Sequence, residues 1–467
     1  MRTLVALVCI ALALAGGFAR FTSAAFTNAL AVPSNALGVD QLSNHFSATP
    51  GSAVQAGTST PIASGNVNSM TLAFGTVPSA RTFTSVFQVT NVTGSSQTAT
   101  MTLSGAPQIS SVVFASSGTT TATLAAGAST TVTVTTSNTV AGHGSGTLQL
   151  GLSGLSWMYR TYNVTIDEQP EAPPSLTATA AAAGRINLSW GASTTTTNFA
   201  GYNVYRSTGG AYTKLTASPI AATTYADTAT TNGTTYTYKV RGVSTDATPL
   251  ESLDSPTASA TADSTPPTRP TSVSLANGGG SGGAYINIAN SSSLSVSVAL
   301  ASGWLSTDTV SITLSSGSSS ITKNANPSSS TVIFTGIDLS SFGDGTVSIS
   351  ATQTDLAGNV STARSASFVK DTSAPSISSA SFNDRNNNTK DQILGTTEAG
   401  ATVKATESAP NAGSTFSATA NGSGSFTITV EALDGNPTPI NYSYSVTATD
   451  AAGNTGPAKI VSGTATK

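Results

Sequence analysis

The chain has 467 residues, too many for a single core, and its length predicts three or four domains. Charged residues are only 8% of it, against roughly 25% in an average soluble domain, while residues of the AVILMFWYC set reach 38%. A formal net charge of −3 spread over so large a surface supplies no field to hold nucleic acid or an anionic membrane, and nucleic acid is not expected as a partner. Ser, Thr, Asn and Gly fill the surface positions instead, which suits half-exposed strands and not long surface helices.

Residues 1–25 read as a signal peptide. Arg2 gives a positive start, Leu4 to Gly17 an apolar stretch too short for a membrane span, and Ser23-Ala24-Ala25 a small-residue cleavage site. The protein is therefore expected outside the cytoplasm, secreted or at the cell surface, with no transmembrane segment in the mature chain. Cys9 is the single cysteine and lies in that leader, so disulfides and thiolate metal sites are excluded from the mature protein.

Beyond Leu72, turn signals separate strand-like runs at roughly 8–12 residue spacing, as in β-sandwiches. Alternation is plain in Thr130–Thr135, Leu294–Val298 and Val347–Ala351, where apolar side chains take one face and hydroxyls the other. Residues 48–64, rich in Ser, Thr, Pro, Gly and Ala, are expected to form a mobile loop or tail. Proline-rich runs at 168–174, 263–270 and 370–375 punctuate the chain as short, stiff linkers. The fold class that follows is all-β, with tandem sandwiches in an extended, rod-like array. The boundaries are 26–168, 170–263, 268–371 and 375–467.

Three motif sets carry resemblances. In 170–263, Ala172-Pro173, Leu188-Ser189-Trp190, Tyr202-Asn203-Val204-Tyr205-Arg206 and Thr235-Tyr236-Thr237-Tyr238 resemble a fibronectin type III domain. Trp190 is then expected at the centre of the core, with Tyr236 as a buried ring. The third and fourth segments resemble bacterial immunoglobulin-like repeats of adhesins and biofilm-associated proteins. They share Asp-x-Ala-Gly-Asn at Asp355–Asn359 and Asp450–Asn454, 95 residues apart, a pattern suited to a hairpin turn. The start Ser23–Thr27 is similar to exported fibre subunits, and 72–91 reads as part of a further immunoglobulin-like sandwich.

Chemistry is sparse. The two histidines, His45 and His143, lie far apart; His143 in Gly142-His143-Gly144 reads as a solvated hairpin tip. Asp167 and Glu168 read as linker charge. Nucleophile elbows, zinc-protease helices and phosphate loops are missing from the sequence, so the chain is expected not to be an enzyme. Asp384, Asn386 and Asn388 place hard oxygen ligands at alternating positions, with Asp391 behind them, and form a candidate calcium site, although Thr389 stands where an EF-hand loop wants Gly. Asp355 and Asp450 are alternative ligands for calcium between domains. Trp157 and Tyr159 share one strand face with Thr161 and form a candidate sugar platform. The resemblances imply adhesion, matrix or display, with a cell-surface or extracellular polysaccharide or protein as partner and self-association through strand edges. The alternative is a carbohydrate-binding accessory chain of a polysaccharide-degrading system.

Overall fold

A computed structural model of the chain describes residues 41–385, 390–431 and 438–465. The signal segment, the fibre-subunit-like start, and Asn386 and Asn388 of the calcium candidate lie outside these residues. Among the described residues no helix is long and apolar enough to cross a membrane.

The described chain is almost entirely β, and its strands arise from period-two patterning. Ser129–Thr136 buries Thr130, Val132, Val134 and Thr136 and turns Thr131, Thr133 and Thr135 toward the surface. Leu294–Ala299 and Gly345–Thr354 alternate in the same way. On the outer faces, hydroxyls pair across strands where most proteins use ions: Thr82–Thr135 at 3.1 Å, Thr90–Ser129 at 2.7 Å, Thr98–Thr123 at 2.8 Å and Thr313–Thr322 at 3.0 Å. Cross-strand pairs of this kind contribute about 0.2–1 kcal/mol each. The low charge content thus has a structural counterpart in the hydroxyl pairs.

The chain divides into two compact units. The first, Met1–Ala178 with Asn187–Ala226 and Thr235–Ala260, opens with a sandwich of a five-stranded and a six-stranded sheet. In the six-stranded sheet, Gly142–Leu152 pairs antiparallel with Leu155–Glu168, which runs parallel to Ser69–Val77. Phe46, Phe74, Phe87, Phe114 and Tyr162 fill the space between the sheets, and Tyr162 donates its hydroxyl to the Val67 carbonyl at 3.0 Å. Residues 48–64 are not the mobile loop their composition predicts. Phe46–Pro50 is a strand paired with Phe87–Asn91, and Ile62 and Ala63 join the core. Small residues misled because Gly51 is packed so closely on the Ser85 carbonyl that a Cβ would not fit.

The second sandwich has sheets of three and four strands; Phe199–Ser207 and Thr235–Ser244 form the centre of the four-stranded one. Trp190 is buried, with its ring edge-on to Tyr202 at 5.6 Å. Tyr236 is buried under the Arg206 guanidinium.

The second unit, Thr179–Ile186, Asp227–Thr234 and Thr261–Lys467, holds one end of that sandwich and two more. The third pairs a three-stranded with a five-stranded sheet around Val296, Val298, Ile312, Leu314, Ile337 and Ile349. The fourth repeats the three-plus-four arrangement, with Tyr442, Tyr444, Val446, Phe426 and Ile428 inside.

Candidate functional sites

Asp384 and Asp391 are the described members of the calcium candidate. Asp391 is buried, and its carboxylate accepts the backbone N–H of Arg385 at 3.0 Å. Its backbone carbonyl accepts Val430 N–H at 2.9 Å. The Asp391 carboxylate is thus engaged by a backbone donor of the chain itself. Among the described residues no cluster of three or more His, Cys, Asp or Glu side chains is arranged to hold a metal.

The alternative calcium ligands, Asp355 and Asp450, each hold an asparagine of the same turn. Asp355 accepts the Asn359 backbone N–H at 2.8 Å and the Asn359 side-chain amide at 2.9 Å. Asp450 accepts the same two donors from Asn454 at 2.8 and 2.9 Å. Both oxygens of each carboxylate are occupied by the asparagine four residues on. The hairpin-turn reading of the repeat is what the structure shows.

The aromatic pair lies on the outer face of the six-stranded sheet. Trp157 is 63% exposed while its neighbour Met158 points inward, and Tyr159 is half-buried on the Trp157 side. Opposite Tyr159 stands Gly151, whose lack of a side chain leaves the tyrosine ring uncovered from that strand. Thr100 is the next residue across. An exposed indole beside a tyrosine on a hydroxyl-lined sheet is the kind of surface on which a sugar ring can stack.

Two titratable groups misread from sequence sit where the first sandwich meets the second. His143 is not a hairpin tip; it lies in the long strand Gly142–Leu152, opposite Asp167. Its Nδ1 is 2.5 Å from Asp167 Oδ1, and its Nε2 is 3.0 Å from Thr248 Oγ1 and 3.2 Å from the Thr248 carbonyl. The His143 backbone N–H donates to Asp246 at 3.3 Å. The Asp167 hydrogen bond, then the Thr248 carbonyl, raise the His143 pKa above its ordinary value. Glu168, read as linker charge, ends the strand Leu155–Glu168 and is 1% exposed. Burial pushes its pKa up to about 8, against a weak bond of 3.4 Å from the Thr136 hydroxyl. Around them, Thr196 and Thr197 donate backbone N–H groups to the Thr139 carbonyl, and Asn198 donates to the Ala141 carbonyl. The 168–174 linker is therefore flanked by a hydrogen-bonded seam.

A charged cluster on the four-stranded sheet of the second sandwich was not foreseen. Arg241 bridges Glu251 and Asp254, Lys239 reaches Asp254 at 2.9 Å, and Tyr205 donates to Glu251 at 2.6 Å. Lys239 also sits over the rings of Tyr205 and Tyr212. Burial and the bond to Glu251 push the Tyr205 hydroxyl up to about 12. Burial would raise the Glu251 and Asp254 carboxyls, but bonds from Tyr205, Asn203, Arg241 and Lys239 outweigh it and hold them below their usual range. The charges satisfy one another, so the cluster reads as a staple across strands and not as a ligand site.

Asn91, in the glycosylation-type triplet Asn91-Val92-Thr93, is fully buried and donates to the Ser95, Leu124 and Ala125 carbonyls at 2.7, 2.9 and 3.0 Å. Its amide holds a turn together.

Residues 379–464 match the model of a bacterial Ig domain. Among solved structures, the FN1–FN3 domains of chicken CNTN1 are 13% identical, with 64% of this chain and 100% of that one covered and a TM-score of 0.30. A tetra-tandem repeat in the extending region of a large adhesion protein is 18% identical over 82% of this chain and 94% of that one, with a TM-score of 0.22. A Fn3-like protein from Clostridium thermocellum is 37% identical over 19% of this chain and 92% of its own, with a TM-score of 0.16. These TM-scores are low, and the fold rests on the strand pairing described above. A search of curated proteins returned no match. The fourth sandwich is a bacterial Ig domain, and it follows three further β-sandwiches in the chain.

Proposed function

We propose that this chain is an exported modular protein that works at the cell surface or in the extracellular matrix by adhesion, display or self-association, without catalysis. The observation that carries this reading is the bacterial Ig domain at 379–464 standing in series with further sandwiches, the first, third and fourth each built around a separate core. Tandem modules turn individually weak contacts into avidity when several engage at once. Their hydroxyl-laced, charge-poor faces suit partners that are themselves neutral and hydroxylated. Polysaccharide is the partner class of that chemistry.

The exposed Trp157 beside Tyr159 favours a second reading, a carbohydrate-binding accessory chain. A pelleting assay separates the two. Protein from Phe26 onward is spun alone, with source cells, and with purified cell-wall polysaccharide. Adhesion or matrix function predicts pelleting with cells, or alone if copies associate; the accessory reading predicts pelleting with polysaccharide that Trp157→Ala abolishes while the strands stay folded. A protein that stays in the supernatant under every condition contradicts both.

A further inference from the structure

The Asp-x-Ala-Gly-Asn turns do more than close a hairpin. With its backbone N–H and one side-chain proton held by the aspartate, each asparagine still has a carbonyl oxygen and a second amide proton to offer. In the third sandwich, Asn359 Oδ1 accepts the backbone N–H of Ala183, at the end of the second sandwich, at 2.9 Å. Asn359 Nδ2 donates to the carbonyl of Asp263, where the linker begins, at 3.1 Å. In the fourth sandwich, Asn454 Oδ1 accepts the N–H of Ile288, in the third, at 2.9 Å. Asn454 Nδ2 donates to the carbonyl of Asp371, again at the start of the linker, at 2.9 Å. The same four-bond pattern thus occurs twice, on two preceding loops that differ in sequence. One is the short 3-10 turn Ala182–Gly184; the other is the 287–290 turn after the strand Tyr285–Ile286.

We propose that Asp-x-Ala-Gly-Asn is a docking head by which each sandwich carrying it fixes itself to the end of the sandwich before it. The head reads one backbone N–H and one linker carbonyl. The aspartate is a positioning residue that sets the amide plane, and the asparagine makes the contact. Because the groups it recognises are backbone, the head needs no matching side chain in its neighbour, and the partner it fits is any sandwich end presenting that pair.

The second of these joints adds two supports. Asn287 Nδ2 donates to the Ala452 carbonyl at 2.8 Å, in the middle of the turn. Gly280 lies against the Ala451 carbonyl with φ +72°, so closely that a Cβ would collide with it. The linker itself is tied down by Asp344, which accepts from Lys370 at 3.0 Å, from the Thr372 N–H at 3.0 Å and hydroxyl at 2.8 Å, and from the Ser373 hydroxyl at 3.1 Å. The head therefore grips a carbonyl whose chain is already held from the other side.

The test is a distance measurement by pulsed electron spin resonance in the full chain carrying Cys9→Ser, with spin labels on cysteines placed at the exposed Ser320 of the third sandwich and Ser417 of the fourth. The parent gives one narrow distance. Asn454→Asp keeps the shape and the Oδ1 acceptor but turns the Nδ2 donor into a carboxylate facing the Asp371 carbonyl. It is measured with chelator present, so that no cation bridges the new charge. The narrow distance is lost while hydrogen exchange in the strand Ile440–Thr449 stays slow. If N454D also unfolds the fourth sandwich, Ile288→Pro decides, because it removes the N–H that Asn454 Oδ1 accepts and leaves the Asp450–Asn454 turn intact. A single narrow distance retained in the deciding variant overturns the proposal.

Discussion

Trp190→Ala is expected to destabilise the second sandwich by about 3–5 kcal/mol, the cost of emptying an aromatic-sized site in a packed core. Trp190 is 5% exposed, meets Tyr202 edge-on at an interplanar angle of 73°, and Tyr202 in turn meets Phe199 at 5.1 Å. The Tyr202 hydroxyl accepts the Ser193 N–H at 2.9 Å, so the ring that would collapse into the cavity is tethered and relaxation is limited. Trp190→Phe should cost much less. The indole N–H has no hydrogen-bond partner, and removing a buried donor that is not paired recovers part of the lost packing. Hydrogen exchange in the strands Phe199–Ser207 and Thr235–Ser244 reads the effect for this sandwich alone. A W190A protein that keeps parental protection there would show that Trp190 is not the core residue described here.

Glu168 is expected to make the first sandwich lose stability as the pH rises. An ordinary glutamate titrates near 4.5, and in the folded chain burial moves Glu168 to about 8. Between those values the native state binds more protons than the unfolded chain, so stability is greatest below pH 4.5 and falls until about pH 8. A shift of this size corresponds to roughly 3 kcal/mol once relaxation around a buried carboxyl is allowed for. His143 acts with the same sign. Its raised pKa gives stability that is present below the ordinary histidine value of 6.5 and is lost as the pH rises through the folded value. It is substantially exposed, so its share is the smaller. Hydrogen exchange in the strand Leu155–Glu168 at pH 5 and pH 8.5 should show the loss, and Glu168→Gln should flatten most of it. An unchanged slope in E168Q would mean that Glu168 is ionised in the native state at neutral pH.

The β content and most strands are readable in the sequence because the period-two signal is local. Val132 and Val134 point inward for the same reason that Thr131 and Thr133 face outward, and no distant residue is needed to see it. The turn at Asp450–Asn454 is equally local. Its second role is not, because Asn454 contacts an N–H and a carbonyl, and every residue but proline carries both. His143 shows the same limit: Asp167 is 24 residues away and Thr248 is 105 away, so glycine neighbours dominate the sequence reading. Glu168 was misjudged because a strand of 14 residues carries it past the expected domain edge and into the interior. Trp157 could be placed on a face but not on the solvent side, since the same alternation suits either orientation of the strand.

Protease shaving of intact source cells tests the central claim most directly. Lys214 and Lys323 are exposed, so trypsin added to unbroken cells, or to their medium, has sites to cut in the second and third sandwiches. An exported surface or matrix protein predicts peptides ending at these lysines without lysis. Peptides that appear only after the cells are broken would place the chain inside and contradict adhesion, matrix and carbohydrate-binding roles alike.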